Sequence, residues 1–250
     1  MRLLEELAAN ACPGMRWVLV DGWAVRFADG YTRRANSVLP LYPGRACRLD
    51  ERIARCEALM AREGLAPTFK LFPEAEPPSL DLELERRGYE RRAETAVMVL
   101  DGIAGKLPAS PAGFRFSVAQ EVREPWFGLY AENGGLDARR QAAARVLMAN
   151  IEPEKRFLAL EGPDGIAGTA LVVIEHGWAG IFDVVVRKDL RGRGLGRLLM
   201  QRVLAEAAAE GAERSYLQVM AENTTAVGLY RSLGYRVAYP YWYRVKEPRA

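Results

Sequence analysis

The stretch Ile181-Phe-Asp-Val-Val-Val186, followed by Arg187-Lys-Asp-Leu-Arg-Gly-Arg-Gly-Leu-Gly-Arg197, decides the fold. Its first part is a short apolar run with high β propensity, which predicts a buried strand. Its second part mixes glycine with arginine, as in a loop that turns tightly. Beyond it, apolar residues recur at helical spacing at Leu195, Leu198, Leu199 and Val203. The stretch therefore predicts a strand, a loop and a helix in succession.

The segment Arg191-Gly-Arg-Gly-Leu-Gly196, here called the glycine loop, has the properties of an anion site. The first amides of a helix lack carbonyl partners, and together with the helix dipole they attract negative charge. Glycines let the backbone approach phosphate oxygens, and arginines add charged donors. The residues concerned are Gly192, Gly194, Gly196, Arg191, Arg193 and Arg197. We expect the loop to bind a diphosphate, a group that CoA, NAD, FAD and nucleotides all carry.

Further predicted strands and helices surround the glycine loop. Strands are predicted over residues 114–118, 157–160, 166–175, 181–186, 215–219, 235–238 and 241–245, and helices over 121–131, 138–150, 195–210 and 225–233. A strand–loop–helix–strand unit lies in the middle of this order. The fold class predicted is therefore α/β, mixed and of the α+β type, with helices flanking a mixed sheet.

A segment rich in glycine, proline and alanine, residues 101–113, precedes this half of the chain and is typical of a linker. We place domains at 1–105 and 114–250, with the linker at 106–113. In the first half, strands are predicted over 17–20, 23–28, 31–39, 68–72 and 92–100, and helices at the N-terminus and over 49–63 and 79–87. Leu84-Glu-Arg-Arg-Gly-Tyr89 is similar to Tyr230-Arg-Ser-Leu-Gly-Tyr235, which indicates a degenerate internal repeat.

Composition excludes several classes of function. A net charge of +3 gives no reason to expect a nucleic-acid partner. A single histidine and three scattered cysteines predict neither a metal site nor a disulfide framework. The N-terminus lacks the apolar run of a signal peptide, and no stretch approaches the roughly 20 apolar residues of a membrane helix. We expect a cytoplasmic monomer or homodimer with no membrane partner.

Two linked segments resemble a known family. Arg191-x-x-Gly194-x-Gly196 matches the acyl-CoA signature of the GNAT N-acetyltransferase superfamily, Q/R-x-x-G-x-G/A. Asn223-x-x-Ala226-x-x-x-Tyr230, followed by Leu233-Gly-Tyr235, matches the second CoA-side segment of that family. The resemblance covers about residues 112–250 and implies a GNAT-like mixed sheet. The first half resembles a truncated GNAT-like domain. It has Tyr42-Pro-Gly-Arg45 where the loop would be, so we expect no CoA binding there.

The resemblance also implies a cofactor, a partner and residue roles. The co-substrate is acetyl-CoA, and the partner is a small-molecule or peptide amine. The cofactor-binding residues implied are Val184, Val185, Val186, Arg191, Gly192, Arg193, Gly194, Leu195, Gly196, Arg197, Asn223, Ala226 and Tyr230. Tyr230 is further implied as the general acid for the departing thiolate. A phenol of pKa about 10 is a reasonable proton donor to a thiolate of pKa about 8.5.

A general base is harder to identify in this sequence. Asp183 is the candidate, because an acid within an apolar strand is rarely buried without purpose, although it can equally bind the substrate amine. Gln218 stands where many relatives have a glutamate, and it cannot take up a proton. Glu222 is a lesser candidate. His176 is predicted to lie in a surface turn.

Direct transfer of an acetyl group to an amine in a ternary complex is the favoured function. A non-catalytic CoA-binding or regulatory module is the alternative. An NAD or nucleotide protein is disfavoured, since the loop lacks both the dinucleotide spacing and a following Lys-Ser or Lys-Thr. The polar segment Tyr31–Val38 predicts either a substrate cleft or, with slight preference, an edge strand. The aromatic run Tyr239–Tyr243 fits core packing, a dimer contact or an acceptor wall.

Overall fold

The computed structural model describes residues 1–103 and 109–247 of the chain. The helices are α1 (Arg2–Ala11), α2 (Leu49–Arg62), α3 (Leu80–Arg86), α4 (Trp126–Gly134), α5 (Ala138–Ala149), α6 (Leu195–Ala209) and α7 (Thr224–Ser232). The strands are β1 (Arg16–Val20), β2 (Trp23–Phe27), β3 (Val38–Leu39), β4 (Thr68–Leu71), β5 (Glu90–Asp101), β6 (Arg115–Ala119), β7 (Glu154–Gly162), β8 (Gly165–Glu175), β9 (Trp178–Val186), β10 (Arg214–Met220) and β11 (Arg236–Val245). Within the described ranges, no helix has the length and apolar character needed to cross a membrane.

The chain forms two compact units. The first contains Met1–Ala96 together with Ala238–Ala250, and the second contains Val97–Val237. This division differs from the predicted limits of 1–105 and 114–250, because β11 pairs with β4 from Trp242 onward and so belongs largely to the first unit. Of the predicted linker, residues 106–108 lie outside the described residues. The proposal that the two halves have different functions stays a prediction.

The second unit contains a mixed sheet in the order β5-β10-β9-β8-β7-β6. The pairs β6–β7, β7–β8 and β8–β9 are antiparallel, whereas β9 and β10 run parallel. Helix α6 packs on β8 and β9 through the apolar repeat read from the sequence, and Leu199 and Val203 are fully buried. Burial of each such side chain contributes about 1.5–3 kcal/mol. The predicted strand–loop–helix–strand order is confirmed.

The first unit has its own sheet order, β1-β2-β3-β4-β11. Strands β3 and β4 are parallel, and the other neighbours are antiparallel. The core includes an edge-to-face series in which Phe69 lies between Trp23 and Tyr89, with ring centroids 5.8 and 5.6 Å apart. The aromatic run at Tyr239–Tyr243 belongs to this core. Its three tyrosines are buried, which favours core packing among the alternatives left open above.

The two units contain the same succession of elements. The series β3-α2-β4-α3-β5 begins in the first unit and β9-α6-β10-α7-β11 begins in the second, and in each series the first and third members are parallel neighbours. Helices α3 and α7 also end alike. The Tyr89 amide donates to the Leu84 carbonyl at 3.0 Å, and the Tyr235 amide donates to the Tyr230 carbonyl at 3.1 Å. With a left-handed glycine before each tyrosine, both ends are Schellman caps.

Two predictions about strands are wrong. The polar segment at Tyr31–Leu39 forms a strand only at Val38–Leu39, because the buried Asn36 amide holds the preceding residues in a turn. Asn36 Oδ1 accepts from the Ala28 amide at 2.7 Å, and its Nδ2 donates to the Thr32 carbonyl at 2.9 Å. Of the two interpretations of Tyr31–Val38, the edge strand is therefore wrong, and the substrate cleft stays a prediction.

The second error concerns proline. Strands were predicted separately over 235–238 and 241–245, but β11 is continuous through Pro240. The ladder with β4 begins only at Trp242, so that section of the pairing does not require a donor from the proline. A helix predicted over 121–131 instead begins at Trp126 because Pro125 occupies its N-cap position.

Candidate functional site

A β-bulge at Asp183 interrupts the regular pairing of β9 with β8. Opposite β8, Thr169 pairs with Val185 and Leu171 pairs with Phe182, so Asp183 and Val184 together face one residue. Asp183 adopts a φ of +51°, which is uncommon for a residue other than glycine. A bulge bends its strand and increases the local twist. The chain therefore departs from regular strand geometry where the apolar run contains its acid.

The parallel ladder between β9 and β10 ends beside this bulge. In the described residues its register runs from Trp178–Arg214 to Ile181–Leu217, although β9 continues to Val186 and β10 to Met220. The edge of β9 that includes Val184 and Val186 thus has no β10 partner, although the Val186 carbonyl accepts from Arg191. Free backbone groups on a strand edge are a template for an extended ligand.

The glycine loop presents free amides at the start of α6. Gly192 and Gly194 have φ of +78° and +76°, and a Cβ at either position would meet open space. Gly194 is the N-cap. The amides of residues 192–197 donate to no described residue, whereas the Leu198 amide donates to the Gly194 carbonyl at 3.1 Å. This is the arrangement expected of an anion site, and Leu195 within it is buried as the first apolar residue of the helix.

The arginines around the loop differ in what they contact. Arg191 donates to the Val186 carbonyl at 3.1 Å and to Asn133 Oδ1 at 2.8 Å. Arg197 donates to Ser232 Oγ at 2.6 Å, which joins α6 to the end of α7. Arg193 is exposed and makes no hydrogen bond or ion pair with a described residue. The sequence suggested three equivalent anion donors, but Arg191 and Arg197 have structural partners, and Arg193 is the arginine whose guanidinium is left available.

Helix α7 provides the other side of the predicted site. Asn223 is its N-cap and accepts from the Ala226 amide at 3.1 Å. A Cβ on Gly196 would lie 3.4 Å from a Leu229 methyl, so α7 lies close to the start of α6. Tyr230 is half-buried, its ring centroid lies 6.1 Å from that of Tyr235, and its hydroxyl bonds to no described residue. Burial raises the pKa of Tyr230, so its phenol stays protonated at neutral pH.

The candidate bases lie in different settings. Asp183 is half-buried, and its carbonyl accepts from the Thr169 hydroxyl at 3.3 Å. Gln218 follows directly after the end of the β9–β10 ladder, and Glu222 is exposed before α7. His176 lies in the exposed turn between β8 and β9, as predicted. In the described ranges, no three His, Cys, Asp or Glu side chains group as metal ligands.

A cleft of about 370 Å³ lies between α4 and the end of β9. It is lined by Leu129, Glu132, Asn133, Val186, Arg187, Lys188 and Asp189. Arg187 is fixed there by Asp189, at 2.8 Å, and by the carbonyl of Asp164. The sequence did not indicate that α4 takes part, and Asn133-Gly-Gly suggested only a break between helices. The contact of Asn133 with Arg191 depends on tertiary packing.

Comparison with known proteins places this architecture. The chain is 28% identical over 251 residues to the Uncharacterized N-acetyltransferase YobR of Bacillus subtilis (strain 168), with 99% of each chain covered. A GCN5-related N-acetyltransferase from Kribbella flavida superposes with a TM-score of 0.70 at 17% identity, covering 99% of this chain and 96% of that one. A tandem GNAT protein from the clavulanic acid biosynthesis pathway gives 0.64 at 17% identity, covering 80% and 70%. At these identities the two structures show the fold.

The fold is that of acyl-CoA-dependent N-acyltransferases of the GNAT superfamily. Within it, a family model described as "Probable histone acetyltransferase Rv0428c C-terminal" matches residues 1–244, and the chain belongs to this family. The resemblance, the mixed α/β fold class and the acyltransferase class predicted from the sequence are thereby confirmed. GNAT acetyltransferases use acetyl-CoA and an amine acceptor.

Proposed function

We propose that this chain transfers an acetyl group from acetyl-CoA to a primary amine, by direct attack of the amine in a ternary complex. The observation that carries the proposal is the separation of β9 from β10 beyond the pair Ile181–Leu217. The end of β9 leads into the glycine loop, where the six amides of residues 192–197 donate to no described residue. An extended arm fits the edge of β9, and a diphosphate fits the loop. Acetyl-CoA combines these two features in one molecule.

The cofactor contacts proposed are those that the GNAT resemblance implies, and the contacts of the loop support them. The backbone of Val184 to Val186 pairs with the pantetheine arm as an added strand. The amides of residues 192–197 hold the pyrophosphate, with Arg193 as the charged donor, while Arg191 and Arg197 keep the loop in position through Asn133 and Ser232. Asn223 and Ala226 lie on the cofactor side of α7. When bound, acetyl-CoA supplies an acyl group that is activated as a thioester.

The transfer forms one bond and breaks one. The amine nitrogen bonds to the acyl carbon, the bond from that carbon to sulfur breaks, the nitrogen loses a proton and the sulfur gains one. Tyr230 supplies the proton to the sulfur, and its raised pKa keeps it in the donor form. Asp183, at the bulge, is the proposed acceptor of the amine proton. The three cysteines all lie in the first unit, which argues against a cysteine intermediate.

A thermal-shift titration tests the cofactor. Acetyl-CoA, CoA, NAD and ATP are titrated against the wild type, Gly194→Glu and Gly211→Glu. Gly211 follows the other end of α6, has a φ of +85° and also faces open space, so it matches Gly194 in strain and added charge. We expect acetyl-CoA and CoA to raise the Tm of the wild type and of Gly211→Glu but not of Gly194→Glu. Stabilisation by NAD or ATP alone contradicts the proposal.

A free-thiol assay then tests the chemistry. Acetyl-CoA is supplied with small amines, amino acids and peptides that carry a free N-terminus or a lysine; the lysine peptides are included because the family description names a histone acetyltransferase. Thiol release that requires one of these amines supports transfer. Binding of acetyl-CoA without thiol release from any of them supports the non-catalytic CoA-binding module, for which the absence of a carboxylate at Gln218 is the favouring observation.

A further inference from the structure

The first unit contains a counterpart of the glycine loop, and a side chain of the same unit fills it. In the repeated succession of elements, residues 40–48 lie between β3 and α2, as the glycine loop lies between β9 and α6. The amides of Arg45, Ala46 and Cys47, in the loop that leads to the Arg48 N-cap of α2, all donate to the Asp21 carboxylate. The shortest distances are 3.0, 3.1 and 3.1 Å. Successive backbone amides that converge on one point form a concavity that binds anions.

The chain holds Asp21 in this place by a tight turn. Asp21 and Gly22 connect β1 to β2 with φ of +42° and +88°. Two positive φ values in a two-residue connection define a type I′ hairpin, for which Asp-Gly is a preferred sequence. The Tyr42 amide donates to the Gly22 carbonyl at 3.2 Å, which ties the residues before α2 to the same turn. The turn and this hydrogen bond together hold the carboxylate against the residues that precede α2.

The buried guanidinium of Arg52 lies beside Asp21 and has donors without an acceptor. Arg52 is 4% exposed, its guanidinium lies 3.9 Å from the centre of the Trp23 ring, and its Nε is 3.9 Å from Asp21 Oδ2. Its Nε and Nη2 are buried and bond to no described acceptor. A Cβ on Gly44 would fall 2.3 Å from Asp21 Oδ2 and 2.4 Å from Arg52 Nη1, so these two groups occupy the cradle closely. An anion larger than a carboxylate would find further donors on Arg52.

We propose that Asp21 is an internal replacement for phosphate in the loop that leads into α2. It closes the first unit's counterpart of the cofactor site, so that each chain binds one CoA. When this carboxylate is removed, the amides of Arg45 to Cys47 and the guanidinium of Arg52 bind an external phosphate or diphosphate. The expectation of one cofactor per chain rests on the proposed function. The anion site that opens when Asp21 is removed does not depend on it.

Calorimetry with inorganic pyrophosphate tests the site in a background in which the loop of the second unit is blocked by Gly194→Glu. Asp21→Gly removes the carboxylate and retains the type I′ turn. Asp29→Gly is the matched control, since Asp29 also precedes a glycine, has a φ of +47° and accepts no amide in the described chain. We expect one pyrophosphate per chain for Gly194→Glu/Asp21→Gly and none for Gly194→Glu or Gly194→Glu/Asp29→Gly.

Two further measurements keep the outcome decisive. If Asp21→Gly does not fold, Asp21→Asn replaces it, because Asn-Gly also favours the I′ turn and the amide group of asparagine removes an acceptor and the charge. A folded variant at Asp21 that binds no pyrophosphate overturns the inference. So does wild-type protein that binds two CoA per chain. If wild-type protein binds no CoA, the proposed function fails, and the pyrophosphate result for the Asp21 variants still decides this inference.

Discussion

Helices α2 and α6 begin in opposite ways, although each follows a strand that is parallel to the next. Before α2 the convergent loop amides already donate to Asp21, and the buried Arg52 lies beside that carboxylate. At α6 the amides are free, glycines leave open space, and Arg193 is available. In both units this topology places a run of backbone amides between a parallel strand and the helix that follows it. What differs is whether the chain fills the site itself.

The helices at the other end of the repeat extend the comparison. The residue whose carbonyl anchors the final Schellman cap is Leu84 in α3 and Tyr230 in α7. Leu84 is fully buried, whereas Tyr230 is half-buried with a hydroxyl that bonds to no described residue. At the same position of the repeat, Leu84 therefore packs in the core, whereas Tyr230 has a hydroxyl that is available for proton transfer. Variants at these positions separate the two roles.

The largest effect is expected from Tyr230→Phe. Loss of a general acid lowers kcat by about 10²- to 10⁴-fold, while the affinity for acetyl-CoA and the Tm change little, because the hydroxyl has no structural partner. Steady-state kinetics with the best amine and a binding titration measure the two quantities. Tyr235→Phe is the control, since that hydroxyl lies 2.7 Å from Ser215 Oγ within the core. A Tyr230→Phe enzyme with wild-type kcat would remove Tyr230 from the mechanism.

The counterpart substitution, Leu84→Ala, is expected to act on stability alone. Truncation of a fully buried leucine lowers the free energy of unfolding by about 2–5 kcal/mol, since transfer and cavity terms add. Urea denaturation measures this, and kcat of the folded variant should equal that of the wild type. Leu82→Ala is the control, because Leu82 lies on the same helix and is 50% exposed. A selective loss of kcat at wild-type stability would show that α3 contributes to the chemistry.

A smaller effect is expected at the glycine loop from Arg193→Ala. An exposed charged donor to a phosphate contributes about 1 kcal/mol, so CoA affinity should fall about fivefold, and less at high salt. Titrations at low and high ionic strength measure it. Arg55→Ala, an exposed arginine of α2, removes the same charge far along the sequence from the loop. Equal losses for both variants would mean that net charge, and not a contact at the loop, sets the affinity.

Local sequence patterns could predict the second unit well, because its elements follow their own periodicity. The apolar run at Ile181–Val186, the glycine loop and the repeat of α6 lie where expected. The bulge at Asp183 could not be predicted, since it depends on register with β8, and neither could the link between Asn133 and Arg191. These contacts join residues distant in the chain.

The first unit was harder to predict, and the reason is again physical. Tyr31–Leu39 was predicted as a strand despite its polar composition. The buried Asn36 side chain instead bonds to the backbone of Ala28 and Thr32 and holds the segment in a turn. The expectation that this half does not bind CoA came from the missing glycines at Tyr42–Arg45. It could not include Asp21, which is 24 residues from Arg45 in the sequence and reaches the α2 amides only through the hairpin.

The smallest effect is expected in the pH dependence of stability. Backbone hydrogen bonds from Arg45 and Cys47 hold the pKa of Asp21 below its ordinary value of 3.8. A carboxyl whose pKa is lower in the folded state stabilises the protein above the unfolded pKa, and this contribution is lost as the pH falls through the folded pKa. The wild type should therefore exceed Asp21→Asn in stability at pH 6, and the difference should shrink below about pH 4.

Urea denaturation of both proteins between pH 6 and pH 3 measures this difference, with Asp29→Asn as the matched variant. Asp29 accepts no amide in the described chain, so its substitution should leave the slope of stability against pH close to that of the wild type. A difference between wild type and Asp21→Asn that stays constant with pH would mean that the amides bind the side chain as a neutral acceptor. In that case the α2 start would not be an anion site, and the contrast with α6 would reduce to the glycines alone.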